Sequence, residues 1–391
     1  MYNFDKVIDR RNTNSGKYDT GYAKDHDVIP MWVADMDFET LPEIKEALIK
    51  RAEHGIFGYS FVTDDYLEAV VHWMESRHDF KIEKEWIVTT TGVVTALKLA
   101  VRAFTKENDS IIVLKPVYYP FDYSIEANHR KVVECPLILE DYKYHIDFNL
   151  FEKLIIENDV KMFILCNPHN PIGRVWTKGE LKKLGTICKE HDVIVVSDEI
   201  HMDFIYEGHT HYPFYEVDES FKEFSIIATA ASKTFNLAGL ECSNIIIANQ
   251  ELRETYEKEK FASGVTDPNI MGMDATQTAY TYGSQWVDEL VAYLSGNVHY
   301  MKDYLEEYLP DIKMIEPEGL YLIWVDCKAL GLNSKELEKF MIEEAHLWLD
   351  EGYIFGTGGE GFERFNVACP RSTLEKALNQ FKEAVYNQKK L

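Results

Sequence analysis

The chain has no pair of cysteines spaced for a zinc site or a disulfide framework. Its six cysteines, Cys135, Cys166, Cys188, Cys242, Cys327 and Cys369, are scattered, and none forms a CxxC pair. Reduced thiols, and with them a cytoplasmic setting, are the expectation. The chain also lacks an apolar run long enough to span a bilayer. Met1-Tyr2-Asn3-Phe4-Asp5-Lys6 has no apolar core of the secretory kind, so no signal peptide is expected. Positive charge is scarce: 41 Lys and Arg stand against 66 Asp and Glu, a formal net charge of −25. That balance argues against nucleic acid or an anionic membrane as a partner, and leaves the sign of a substrate site open. Repeats and low-complexity tracts are absent too. What is there is 391 residues of globular composition, enough for two domains with sizeable cores.

One lysine gives the chain its focus. Ser225-Ile226-Ile227-Ala228-Thr229 is an apolar, β-branched run that reads as a buried strand, and small residues lead from it to Ser232-Lys233. An ammonium placed there must shed water, a cost that falls if the amine is neutral. A desolvated, neutral lysine attacks carbonyls and forms Schiff bases. A solvated loop lysine would read the same in isolation, so the assignment depends on what else gathers around it.

From about residue 85 to 250, strands and helices alternate. This predicts an α/β architecture with a mostly parallel, helix-covered sheet in a large domain over residues 46–285. Five strand ends carry marked residues. Strand 86–90 runs into Thr91-Gly92-Val93-Val94 and a helix over 95–104. Such a turn can present backbone N–H groups and a positive helix end to a phosphate, although many turns of this kind bind nothing. Strand 110–114 runs into Pro116-Val117-Tyr118-Tyr119-Pro120-Phe121. Aromatics there lie at the edge where open α/β sheets bind ligands, and two tyrosines packing a loop would look alike. Strand 161–166 leads to Asn167-Pro168-His169-Asn170-Pro171-Ile172-Gly173-Arg174, where a fixed Asn170 can donate a directed hydrogen bond. Strand 193–197 ends in Asp198-Glu199-Ile200-His201-Met202-Asp203. Asp198 could simply cap the next turn. Asp198, His201 and Asp203 could also ligate a metal, but their spacing is not that of a helical ligand pair and no second His/Cys cluster completes it. No metal is expected. The fifth end carries Lys233.

The flanking regions read differently. Residues 1–45 form an arm that belongs with a smaller domain; its run Pro30-Met31-Trp32-Val33-Ala34-Asp35-Met36-Asp37-Phe38 is extended and carries two acids. A helix over 42–53, opened by a proline, precedes an aromatic loop, Gly55-Ile56-Phe57-Gly58-Tyr59, and a helix over 66–78. A helical stretch from 274 to 308 is predicted to break near Gly283 and Gly296. A strand (320–325), a helix (334–345), a strand (364–368) and a helix (372–388) then suggest a smaller α+β domain over 286–391. The loop Gly356-Thr357-Gly358-Gly359-Glu360-Gly361 looks like a phosphate cradle but lacks the Gly-Lys-Ser/Thr ending of a nucleotide loop. Arg364 could clamp a carboxylate or make a surface ion pair.

Taken together these residues resemble the fold-type I enzymes of pyridoxal 5′-phosphate (PLP), in the aspartate aminotransferase superfamily. Asn170-Pro171-x-Gly173, Asp198-x-x-His201 and Ser232-Lys233 stand in that superfamily's order and approximate spacing. The likeness is greater to its MalY/PatB-type cystathionine β-lyases, also called C–S lyases or cysteine desulfhydrases. It is carried by residues 32–38, Asn167-Pro168-His169-Asn170-Pro171, Ser197-Asp198-Glu199-Ile200-His201 and Ala368-Cys369-Pro370-Arg371. The resemblance covers nearly the whole chain.

The resemblance implies that Lys233 holds PLP and later moves protons, with His201 beside the cofactor. Asp198 would pair with the ring nitrogen, Asn170 would bond the ring oxygen, and Tyr118 would stack on the ring. Gly92, Val93, Val94, Ser232 and, from a second subunit of a homodimer, Tyr59 would hold the phosphate. Arg364 would bind the substrate carboxylate, with Asp35 and Tyr119 nearby. The implied reaction is α,β-elimination of L-cystathionine, L-cysteine or another S-substituted cysteine to pyruvate, ammonia and a thiol. Many aminotransferases of the superfamily carry serine at position 230, arginine at 241 and tyrosine at 201; Ala230, Glu241 and His201 depart from that pattern. An aminotransferase and a non-catalytic regulatory protein on the same scaffold are the alternatives. The preferred thiol leaving group and the pathway have no motif of their own.

Overall fold

Unbroken β-branched runs between residues 87 and 246 build a seven-stranded sheet in the computed structural model, which describes residues 2–388. Its strands are β1 (Ile87–Thr90), β2 (Ser110–Lys115), β3 (Lys131–Pro136), β4 (Val160–Cys166), β5 (Ile194–Asp198), β6 (Ser225–Thr229) and β7 (Ser243–Ile246). Their order across the sheet is β1-β7-β6-β5-β4-β2-β3. Every pairing is parallel except those of β7, which is antiparallel to both neighbours.

A parallel sheet is buried on both faces, so its strands read as continuous apolar runs. Strand β2 is buried at every position, and its alternate residues serve two cores. Ile112 and Leu114 join the larger cluster, while Ile111 and Val113 face the smaller one beneath the helix Val93–Phe104. Each fully buried isoleucine or leucine contributes about 1.5–3 kcal/mol. The two cores hold the strand ends in register, and the loops that leave those ends carry the chemistry.

A second sheet comprises β8 (Lys313–Met314), β9 (Leu322–Asp326), β10 (Asp350–Glu351) and β11 (Phe362–Asn366), all antiparallel, in the order β8-β9-β11-β10. The N-terminal arm forms a separate two-stranded sheet, in which Ile29–Pro30 pairs in parallel with Leu347–Trp348. That pairing feeds residues 32–38 across the carboxyl edge of the large sheet.

Three sequence expectations need correction. The helix expected over 95–104 starts at Val93, directly after Gly92. The break at Gly283 is present, between Ile270–Tyr282 and Ser284–Tyr308, but the second helix runs through Gly296 without interruption. One glycine costs a helix only about 1 kcal/mol, and the buried Leu294, Asn297 and Val298 around it supply more than that in packing. Strands β3 and β7 and the helices Pro120–Glu126, Phe148–Glu157 and Gln250–Ala262 were not among the expected elements. No helix among the described residues is long and apolar enough to cross a membrane.

Candidate active site

The carboxyl ends of β1, β2, β4, β5 and β6 converge on one cleft of about 320 Å³. Nine of the residues singled out in the sequence line it: Gly92, Val93, Val94, Tyr118, Asn170, Asp198, His201, Ser232 and Lys233. Tyr59, Asp35, Tyr119 and Arg364 do not. This edge is where open α/β sheets hold ligands, because the loops diverge there.

Lys233 sits in the short helix Ala231–Thr234, which leaves β6 after Ala230. Its Nζ donates to the carbonyl oxygen of Ala34 at 2.8 Å, and the Tyr321 hydroxyl donates to the same oxygen at 3.1 Å. Burial lowers the amine to about 8, and the nearby Arg364 pushes the same way against Asp35 and Asp198. Asp198 closes β5. It accepts a hydrogen bond from the Ile200 N–H at 3.2 Å, and burial raises its carboxyl to about 7. An acid and an amine are thus both poised near neutrality in one cleft, the usual mark of a reactive site. His201 is buried with Nδ1 unpartnered. Burial, then Lys233 and Arg364, hold it well below its ordinary value, so the ring is neutral. Asp203 turns away from His201 to pair with His78 and Thr234.

At the other end of the cleft, Gly92 adopts φ 121° and ψ 153° and caps the helix Val93–Phe104. The first N–H groups of a helix have no partner within it, and the helix dipole adds positive charge there. Ser243 Oγ accepts from the Gly92 N–H at 3.2 Å. Glu241, at φ 48°, lines the same cleft. No arginine or serine stands at positions 241 and 230, so an anion there must rely on backbone N–H groups and hydroxyls.

Arg364 lies in β11, buried beside Asn170. Its Nη1 donates to Asn170 Oδ1 at 3.0 Å, and its Nη2 donates to the Trp32 carbonyl at 2.6 Å and to Asp350. Nε has no partner. Fixing Asn170 Oδ1 in this way orients the Nδ2 donors of the same amide. Tyr119 is half-buried against Tyr118, with ring centroids 5.6 Å apart, and burial lifts its phenol to about 12. Asp35 is clamped by Arg10 at 2.6 and 3.0 Å, an arrangement that no local sequence pattern announces. Tyr59 is fully exposed on the loop between the helices Pro42–His54 and Asp64–His78. The glycine-rich loop does not line the cleft, and a Cβ at Gly359 would strike the carbonyl of Gly352 while a Cβ at Gly356 would strike the Lys115 side chain. Its glycines serve close packing.

Known proteins share this fold and much of this sequence. Residues 26–381 match the family model for aminotransferase class I and II. Cystathionine beta-lyase PatB of Bacillus subtilis is 43% identical over 385 residues, covering 98% of this chain and 100% of that protein. Protein MalY of Escherichia coli is 33% identical over 97% of each chain. The crystal structure of cystalysin from Treponema denticola, which contains a pyridoxal 5′-phosphate cofactor, superposes with a TM-score of 0.96. It is 41% identical and covers 99% of each chain.

Proposed function

Since the chain belongs to the class I and II aminotransferase family, we propose that it is a PLP-dependent carbon–sulfur β-lyase. It takes L-cystathionine, L-cysteine or another S-substituted cysteine, with water, to pyruvate, ammonia and a thiol. The observation that carries this reading is the full-length, 43% match to a cystathionine β-lyase around a cleft that holds both Lys233 and Asp198.

The cleft fits PLP on its own chemistry. A poised amine suits an aldehyde, a buried carboxyl bonded by one N–H suits a ring nitrogen, and the helix start at Gly92 suits a phosphate. When bound, PLP supplies an aldehyde and an aromatic ring that accepts the electron pair left behind when the Cα proton is removed. Lys233 would hold the aldehyde, and once free its Nζ would take the Cα proton. Asp198 would keep the ring nitrogen protonated. Tyr118 would stack on the ring, and Asn170 would donate to its oxygen. Gly92, Val93, Val94 and Ser232 would bind the phosphate through N–H and hydroxyl groups, joined by Tyr59 of the partner subunit. The unpartnered Nε of Arg364 leaves a donor for the substrate carboxylate, and Tyr119 and Asp35 would contribute to the same substrate site. Neutral His201 adds no charge near the amine. We also infer a large domain over residues 46–285 with an arm and small domain over 1–45 and 286–391, a homodimer, and a cytoplasmic setting. All six cysteines are free and buried, which supports the last.

The test is pyruvate release from L-cystathionine by the purified protein with PLP and no keto acid, run beside Lys233→Ala. Multiple-turnover pyruvate that disappears in the variant is the expected result. Amino transfer that appears only when a keto acid is supplied would instead make the chain an aminotransferase, the reaction its family model is named for.

A further inference from the structure

Asp203 lies outside the cleft wall, yet it ties two of the elements that build it, the turn after β5 and the helix that carries Lys233, to the helix Asp64–His78 outside the cleft wall. Its Oδ1 meets His78 Nε2 at 2.9 Å, and its Oδ2 accepts the Thr234 hydroxyl at 2.6 Å. His78 ends the helix Asp64–His78, Asp203 follows Asp198 and His201 out of β5, and Thr234 is next to Lys233. All three side chains are buried.

The helix that presents Lys233 needs such a tie. It has four residues, Ala231–Thr234, too few to hold its own geometry by backbone hydrogen bonds alone. Among the described residues, Lys233 Nζ has a single hydrogen-bond partner, a carbonyl on the N-terminal arm. The Thr234–Asp203 bond is the side-chain link from this helix to the turn that carries Asp198 and His201. Burial works to raise the Asp203 carboxyl, but His78, Thr234 and Arg77 outweigh it and keep the group below the ordinary carboxylate range. It is therefore an anion, and hydrogen bonds to an ionised acceptor are shorter and stronger than neutral ones.

We propose that Asp203 is a positioning residue for Lys233, with Thr234 as the link and His78 as the anchor. It sets the lysine amine against Asp198 across the cleft without touching the cofactor or the substrate. The inference rests on the reading that Lys233 holds PLP, and not on which reaction follows.

The experiment compares the holoenzyme with Thr234→Val and Thr234→Ser in three readouts: PLP affinity, the pH midpoint of the cofactor's visible absorption band, and the separate effects on kcat and KM. Thr234→Val, nearly the same volume without the hydroxyl, is expected to weaken PLP binding and to slow turnover on the order of tenfold to a hundredfold, as small displacements of reacting groups do. The band midpoint should shift, and kcat should fall with KM little changed. Thr234→Ser keeps the hydroxyl and should restore all three. Parent-like affinity and midpoint in Thr234→Val would overturn the proposal, as would a serine variant as impaired as the valine one. If Thr234→Val does not fold, Asp203→Asn gives the second reading: a weakened affinity and a shifted band support the proposal, and an unchanged band overturns it. An enzyme that makes no pyruvate but shows the parent band refutes the β-lyase reading alone, because the band reports on Lys233 and not on the reaction.

Discussion

Lys233 and Asp198 titrate toward each other from opposite ends of the scale, and burial is the larger cause in both. For the lysine the consequence is kinetic. At pH 7 an amine that titrates near 8 is neutral in about one molecule in ten, against about one in 3,000 for an ordinary lysine at 10.5. Only the neutral form attacks an aldehyde. The rate at which the cofactor-free protein captures PLP, followed by absorbance, is therefore expected to rise steeply with pH up to about 8 and then to level off. A rate that keeps climbing past the ordinary lysine range would show that the amine is solvated. Arg364 shows the other use of a buried charge. Its fork is divided among Asn170, Trp32 and Asp350, a spread over two nitrogens that the single ammonium nitrogen of a lysine does not reproduce.

At the scale of elements, what the sequence discloses follows from which faces are buried. Strands β2 and β6 are covered on both sides and appear as unbroken apolar runs, so their ends, and Tyr118 and Lys233 just beyond them, can be located without a structure. Strand β7 is equally buried but opens with Ser243 and Asn244. Ser243 Oγ pairs with Thr90, and Asn244 Oδ1 accepts from the Tyr66 hydroxyl, both more than 150 positions away, and no local pattern announces that. The same limit hides the Ala34 carbonyl from Lys233, 199 positions apart, and the Arg10 clamp on Asp35. A shorter-range device is the turn at Gly92. Its φ of 121° is open to glycine and strained for other residues, although no atom beyond the adjoining residues lies within 4 Å of where a Cβ would stand. Gly92→Ala therefore probes backbone conformation without a steric clash. It is expected to cost about 1–3 kcal/mol in urea unfolding, and to weaken PLP binding by shifting the first N–H groups of the helix Val93–Phe104. An alanine variant with parent stability and parent affinity would show that this turn does not depend on glycine.

The molecule as a whole carries one feature that a single copy does not account for. Between the helices Pro42–His54 and Asp64–His78, both packed on Ile270–Tyr282, the connecting loop exposes Ile56 at 70%, Phe57 at 60%, Tyr59 at 112% and Phe61 at 74%. Clustered apolar exposure on this scale marks an interaction surface. The cleft also lacks a cation at its phosphate end, so it gains from a donor brought in from outside. A homodimer meets both needs if this loop docks beside the partner's cleft. The 45.4 kDa chain is then expected to sediment at twice its mass. A Phe57→Asp, Phe61→Asp double variant should sediment as a monomer and lose PLP on dialysis, because charges in an apolar interface must be desolvated without a partner. Tyr59→Phe should remain dimeric and bind PLP more weakly by about tenfold, the loss of one hydrogen bond to a charged group. A parent chain that sediments as a monomer, or a double variant that stays dimeric and retains PLP, would remove the loop from the interface and return the whole of phosphate binding to the N–H groups and hydroxyls of the chain's own cleft.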